Sequence, residues 1–315
     1  MKNDHKYFFI VNPISGRGAG KQAIVRLETE LNKHGVEYAI HTTDRPWHAA
    51  ELAQQAVADG WSHVIAVGGD GTSNEVLNGM ALAQQQGQGK ATMGAIPVGT
   101  GNDFSYGAGV EQDFTRALDS VLDGRSITID IGHVVGGLYP NGRYFGNGVG
   151  IGFDAVVGFE ALKLKRLRGF SAYAVAALKT ISLYFRAPEV EIELDDETIV
   201  RRCLMVSIMN GRRMGGGFMM APESQINDGV FDLCIVSQVS RLRILGLILE
   251  FMRGTQSRSE AVSMRQSSRV VVRAVDGVLP AHADGETLCE QGQELAVKIL
   301  PLELDVVGSL RESVG

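Results

Sequence analysis

The stretch HVIAVGGDGTSNEV, His63 to Val76, passes from a short β-branched run into three glycines and an aspartate, then into a helix. His63–Val67 reads as a buried strand and Ser73–Gln85 as a helix, so Gly68–Thr72 is the turn leaving the carboxyl end of a strand. The same punctuation occurs twice more. YFFIV (7–11) runs into NPISGRGAG (12–20), ahead of a helix over 21–33 with Ile24, Leu27 and Leu31 on one face and Gly35 as its stop. Thr92–Pro97 runs into VGTGND (98–103). A strand over 36–42 and an alanine-rich helix over 48–59 fill the remaining gap. Strands alternating with helices predict a parallel sheet with helices on its faces, a three-layer α/β domain.

After about Arg125 the texture changes. Segments 126–135, 143–151, 189–195, 198–209, 230–237, 269–275 and 294–300 are short and rich in Val, Ile and Leu, with turn residues between most of them. They predict a β-sandwich, interrupted by helical insertions at about 155–186 and 240–253. A last strand over 302–307 returns to the first domain. The expected organisation is an α/β domain over 1–126, completed by about 302–315, and a β-sandwich domain over 127–301. Two domains also suit a length of 315 residues.

The chain holds 39 glycines, more than the usual ~7%. They cluster in loops, so they mark special backbone positions and not low complexity. A net charge of −6 argues against a dedicated nucleic-acid binder. Cys203, Cys234 and Cys289 are odd in number and widely spaced, which suggests buried thiols in a reducing compartment and neither a disulfide framework nor a zinc site. The apolar run near the N-terminus ends at Asn12-Pro13, too short for a signal peptide. No stretch reaches about 18 uncharged apolar residues, so no transmembrane helix is expected. These features predict a cytoplasmic protein.

Ligands of open parallel sheets bind beyond the carboxyl ends of the strands, where the three glycine-rich loops lie. VNPISGRGAGKQ (11–22) is no Walker A loop: Gln22 stands where a magnesium-binding hydroxyl is needed, and Ser15 where the first glycine is. Glycine lets backbone amides wrap an anion, and the helix that follows adds a positive dipole end. Asp70 and Asp103 could merely cap helices. Beside a phosphate cradle they could instead supply the carboxylates that Mg²⁺ takes together with substrate phosphates.

NPISG (12–16), GGDGTSNE (68–75), PVGTGND (97–103), RMGGGFMMAP (213–222), NDGVFD (227–232) and DGE (284–286) occur in the order seen in the diacylglycerol kinase catalytic-domain family, which includes soluble bacterial lipid kinases and sphingosine and ceramide kinases. The resemblance runs from Tyr7 to about Val307. It implies a phosphofructokinase- and NAD kinase-like α/β domain, a β-sandwich domain for the lipid, and an active site in the cleft between them. It further implies ATP and Mg²⁺, with Asn12, Ser15, Gly16, Lys21, Thr43, Gly68, Gly69, Asp70, Gly71, Thr72, Asn74, Gly99, Thr100 and Asn102 on the nucleotide. Asp70, Asp103 and Glu286 become catalytic, with Glu286 the base. By spacing alone Asp284-Gly285 is a hairpin turn, and both readings are compatible. By spacing alone Asp228-Gly229 is also a type I′ turn. The resemblance implies instead a structural Mg²⁺ held by Asp228, by the carbonyls of Gln225 and Val230, and by Asp130 through water.

Residues 159–186 carry six basic side chains against one glutamate. Lys163, Lys165, Arg166 and Arg168 ahead of an apolar helix suit an anionic membrane surface, though a core-packed helix with a solvated flank fits the same pattern. The expected partners are a lipid substrate and a membrane surface, with no nucleic acid and a homodimer left open. The leading expectation is an ATP-dependent lipid kinase phosphorylating diacylglycerol. An NAD-kinase-like enzyme on a soluble substrate and a non-catalytic nucleotide-binding protein are the alternatives; NPISG, GTGND and the distal DGE speak against the former. Retention of Asp70, Asp103 and Glu286 speaks against the latter.

Overall fold

Strands β1 (Lys6–Val11), β2 (Glu37–Thr42), β3 (His63–Gly68) and β4 (Thr92–Pro97) pair in parallel in the order β4-β3-β1-β2. They belong to a computed structural model that describes residues 5–163, 175–176, 179–181 and 187–310. Helices α1 (Ala19–His34), α2 (His48–Ala58), α3 (Asp70–Gln85), α4 (Asp103–Gly107) and α5 (Phe114–Asp123) complete this part. Alternate side chains of each strand point to opposite faces. Tyr7, Phe9, Val11, Ile65, Val67 and Ile96 therefore share one apolar cluster with Leu27 and Leu31 of α1 and Leu118 and Val121 of α5. Phe8, Ile10, Val64 and Ala66, also buried, face the other side, where α2 and α3 pack on β1 and β3. Both faces are covered, which is why these strands read as continuous apolar runs.

The described residues up to Ile129, joined by those from Leu302 on, form one unit, and Asp130–Pro301 form the other. The second unit is antiparallel and built from most of β5 (Ser126–Gly136), from β6 (Tyr139–Phe145), β7 (Gly148–Gly152), β8 (Glu189–Glu193), β9 (Thr198–Met209), β10 (Phe231–Ser237), β11 (Val262–Ser267), β12 (Arg269–Ala274), β13 (Leu279–Ala283) and β14 (Glu286–Gly292), and from the first half of β15 (Glu294–Val307), whose end from Leu302 belongs to the first unit and pairs in parallel with β4. One sheet runs β14-β13-β7-β9-β10-β11, and the other contains β8, β12, β15, β5 and β6. Strand β9 serves both. Its residues Thr198–Arg202 pair with β8, while Cys203–Met209 pair with β7 and β10. Between the sheets lie Val149, Ile151, Ile192, Val206, Ile208, Phe231, Ile235, Val270, Val272, Ala281 and Val297. On the outer face of β9 and β10, Met205, Met209, Cys234 and Val236 share a second cluster with helices α6 (Phe153–Lys163) and α7 (Arg241–Arg253).

The expected α/β domain with a β-sandwich is the observed fold. Several details differ, among them the strand expected over 143–151, which is two strands, β6 and β7. Helix α3 begins at Asp70 and not at Ser73, because Gly69 is its N-cap and the glycine-rich turn is already helical. The strands expected at 294–300 and 302–307 are one strand with a kink, where Leu302 takes a φ of 50°. Helix α5 was not expected, although Phe114, Ala117, Leu118 and Val121 lie at helical spacing and Asp113 caps it, accepting from the amides of Thr115 at 3.0 Å and Arg116 at 3.1 Å. The cysteines are free and buried, and desolvation pushes the Cys203 and Cys234 thiols up to about 12.

Candidate active site

In the α/β unit, Val11 is in register with Val67 and Gly68 with Pro97, so β1, β3 and β4 end level and their loops emerge side by side. Asn12 ties two of them together. Its Oδ1 accepts from the amide of Ile14 at 3.2 Å, and its Nδ2 donates to Thr72 Oγ1 at 3.2 Å. Gly16 takes a φ of 57°, and a Cβ there would overlap the carbonyl oxygen of Val98. Gly69 and Gly99 meet so closely that a Cβ on Gly99 would overlap the Gly69 Cα. Asn102 closes the third loop by donating to the carbonyl of Gly99 at 3.3 Å. The three loops thus form one surface made largely of backbone.

That surface differs from the other helix starts in one respect. Ser240 and Asp113 cap α7 and α5 with their side chains. Glu75 caps α2, accepting from the amides of Trp47 at 2.9 Å and Ala49 at 3.0 Å. Helices α1 and α3 begin at Gly18 and Gly69 with no side-chain cap. No side chain of the N-cap residue thus covers these two helix ends, where the positive field of the helix dipole favours an anion.

Asp70 and Asp103 flank Gly101. A Cβ on Gly101 would lie 2.6 Å from Asp70 Oδ2 and 3.6 Å from Asp103 Oδ2, so the missing side chain keeps open a gap faced by two carboxylates. Asp70 Oδ1 is fixed by the amide of Phe104 at 3.1 Å. Two carboxylates beside an anion cradle fit Mg²⁺, which keeps waters and takes the remaining ligands from phosphate. Among the described residues no group of three or more His, Cys, Asp or Glu stands ready for a metal. An ion here therefore depends on ligands from outside those side chains.

The other expected nucleotide residues of this unit divide by position. Ser15 lies in the first loop opposite Gly69. Thr43 sits beside the end of β1, its amide bonded to the carbonyl of Val11 at 2.9 Å. Lys21 and Thr100 are exposed, Thr72 is buried, and Gly71 lies in the first turn of α3. Asn74 is buried inside α3 and accepts from Asn78.

In the β-sandwich unit, Asp284 and Gly285 take φ values of 48° and 85°, as the two central residues of a type I′ hairpin must. Half-buried Glu286 opens β14 directly after them, paired with Ala283. The Asp284 carboxylate accepts three backbone amides: Gly146 at 2.9 Å, Asn147 at 3.0 Å and Gly148 at 2.9 Å. The turn carrying Glu286 is therefore anchored to the loop between β6 and β7. Sequence reasoning saw DGE but had no way to find Asp284's partners, which lie more than 130 residues away.

Asp228 does not occupy a type I′ turn. Only Gly229 has a positive φ, and the Asp228 carboxylate turns back to accept the amide of Val230 at 3.2 Å. Fully buried Asp130 accepts the amide of Gly229 at 2.7 Å. Desolvation, and then the nearby charge of Asp130, push the Asp228 carboxyl up. Two neighbouring carboxylates whose charges oppose each other fit a cation. Gln225 and Val230 lie in the same loop.

A second group went unnoticed in the sequence. Ser207 donates to Asp154 Oδ2 at 2.9 Å, while His282 Nδ1 accepts from the amide of Gly285 at 3.3 Å. Both side chains close on Gly150, where a Cβ would overlap Asp154 Oδ2 and lie 2.6 Å from His282 Nε2. Burial pushes Asp154 up to about 7 and His282 down to about 4. The basic stretch expected to meet a membrane lies mostly outside the described residues, Lys165, Arg166 and Arg168 among them. Lys163 and Lys179, which are described, both pair with Glu160, at 2.7 and 2.5 Å.

Residues 6–134 match the diacylglycerol kinase catalytic domain, and residues 147–308 match the YegS C-terminal NAD kinase beta sandwich-like domain. A diacylglycerol kinase of Bacillus subtilis (strain 168) is 32% identical over 279 residues, covering 88% of each chain. The chain belongs to the diacylglycerol kinase family. Another such kinase, from Staphylococcus aureus (strain bovine RF122 / ET3-1), is 30% identical and covers 93% of this chain and 89% of its own. The fold is also that of a solved diacylglycerol kinase structure from Bacillus anthracis str. Sterne, with a TM-score of 0.73 at 20% identity and 98% of each chain covered. This family member is thus a lipid kinase, and the soluble-substrate and non-catalytic alternatives give way. No helix among its described residues is long and apolar enough to cross a membrane.

Proposed function

We propose that this kinase transfers the γ-phosphate of Mg·ATP to the hydroxyl of diacylglycerol, giving phosphatidic acid. The observation that carries this reading is the level strand edge of the α/β unit, where glycine loops joined through Asn12 meet two helix starts without side-chain caps. Such an edge suits a polyphosphate. The relatives' names supply the acceptor. Asn12, Ser15, Gly16, Gly68, Gly69, Gly71, Thr72, Gly99, Thr100 and Asn102 hold the nucleotide, Lys21 and Thr43 border it, and Asn74 supports it from within α3.

Phosphoryl transfer needs positioning and charge neutralisation more than covalent help. Asp70 and Asp103 would hold Mg²⁺ directly or through water. When bound, the ion offsets the charge on the transferred group. Asp228, the carbonyls of Gln225 and Val230, and Asp130 through water would hold a second, structural Mg²⁺. Glu286 accepts the proton of the attacking hydroxyl, and Asp284 keeps the turn that carries it rigid. Because the acceptor resides in a bilayer, the enzyme works as a peripheral protein on the cytoplasmic side.

The test is phosphate transfer from Mg·ATP to a panel of lipids in mixed micelles, with Glu286→Gln beside the wild type. Transfer to diacylglycerol that is lost in a variant still binding ATP is the expected result. Bound ATP with no transfer to any lipid overturns the reading.

A further inference from the structure

Helix α7 is apolar on two sides. Its inner side holds Ile244, Leu247 and Phe251, all buried. Its outer side holds Leu242, Leu245, Leu249 and Met252, which are 81, 40, 52 and 42% exposed. The spacing of three, four and three residues puts these four on one face, a continuous stripe two to three turns long. Scattered exposed leucines need no explanation, but four aligned on one helix do. Arg241 and Arg253, both exposed, stand at the two ends of the stripe, and exposed Arg258 follows in the next turn. The helix's one carboxylate, Glu250, is turned aside and held by Arg243 at 2.6 and 3.1 Å. An acidic protein therefore presents here an apolar strip bracketed by arginines with no carboxylate on its outer face.

From this charge pattern we infer that α7 is the surface by which the kinase docks on an anionic bilayer. The helix lies flat, with Leu242, Leu245, Leu249 and Met252 entering the acyl boundary and Arg241 and Arg253 on lipid phosphates. A two-fold pairing of α7 with a second copy is the less suitable occupant, since antiparallel helices would bring Arg241 of each copy against Arg253 of the other. The inference deepens the lipid-acceptor reading above and rests on it for its purpose, but binding can be measured without catalysis.

The probe is a vesicle of 30% dioleoyl phosphatidylglycerol in dioleoyl phosphatidylcholine, scored by co-sedimentation of the full chain without ATP. Leu242→Ser combined with Leu249→Ser is expected to weaken binding at least fivefold, and Arg253→Gln about twofold. Leu249→Trp is expected to shift its emission to the blue on adding these vesicles. The double variant should lose transfer to vesicle-borne diacylglycerol yet keep it toward a dispersed short-chain diacylglycerol. Undiminished binding by the double variant, or an unshifted Leu249→Trp spectrum, overturns the inference. So does a wild-type dimer in sedimentation velocity that the double variant converts to monomers. If vesicle binding depends on the stripe but no lipid is phosphorylated, docking stands and the acceptor reading fails. If lipid transfer and binding both persist in the variant, the acceptor reading stands and docking fails.

Discussion

The strand edge of the α/β unit and the DGE hairpin of the sandwich unit are built from the same residue types, glycine and aspartate, put to opposite uses. At the edge, α1 and α3 start at Gly18 and Gly69, which carry no side chain to cap them. At the hairpin, Asp284 takes up three backbone amides by itself. The first arrangement leaves the positive field of two helix ends uncovered by a capping side chain. The second consumes donors to make one turn rigid, so that a single carboxylate, Glu286, is presented from fixed backbone. A phosphate needs many weak donors, whereas a general base needs one group in one place.

The sharpest way to break the comparison is to change the two acids of the hairpin separately. Glu286→Gln should lower kcat by about 10²- to 10⁴-fold, the usual worth of a general base, with the melting temperature unchanged. Asp284→Ala should lower both, because three buried amides lose their acceptor, each at about 1–3 kcal/mol. Calorimetry beside steady-state kinetics separates them; a fully active Asp284→Ala protein with the wild-type melting temperature would remove Asp284 as the anchor of the turn.

On the glycine side, Gly16→Ala sets a Cβ onto the Val98 carbonyl at a left-handed φ, a cost of about 1–3 kcal/mol. The loop should give way, raising KM for ATP more than it lowers kcat. Equal KM values for the variant and the wild type would mean that the loop surface is not the nucleotide's.

A smaller effect lies in the buried group around Gly150. Asp154, pushed up to about 7, keeps its proton in the folded state above its unfolded value of about 3.9, so its contribution to stability is full at low pH and is lost as pH rises through 7. His282, pushed down to about 4, loses stability in the other direction, as pH falls from about 6.5. The two slopes oppose each other between about 4 and 6.5, and Asp154 alone acts above that. Asp154→Asn should therefore gain stability relative to the wild type between pH 5 and 8, by at most ~1.4 kcal/mol per pH unit. Urea denaturation across that range measures it, and parallel curves would remove Asp154 from the account. Lys21→Gln should matter least: on an exposed side chain, a change in KM for ATP below about tenfold is expected.

The α/β and sandwich classes were legible because both leave a periodic trace: apolar runs where two faces are covered, alternation where one is. The glycine loops were legible because glycine is the residue that permits those backbone paths. Strands over 262–267 and 286–292 were not expected because more than half of each is polar, and the one over 279–283 because it is five residues long and holds a proline. Helix α5 was not expected although Phe114, Ala117, Leu118 and Val121 fall at helical spacing, because the segment spans only ten residues between two domains' worth of stronger signals.

The sequence by itself determined the element types, the three loops and the acids available to them, all of which are local consequences of side-chain size and backbone freedom. Only the tertiary structure decided what those acids do. Asp284 and Glu75 look as free to act as Glu286 when read along the chain, but the first grips three amides of a distant loop and the second caps α2. Asp154 and His282, 128 positions apart in number, close on one glycine only when β7 and β13 pair. Hydrogen bonds act over about three ångströms of space and know nothing of sequence separation.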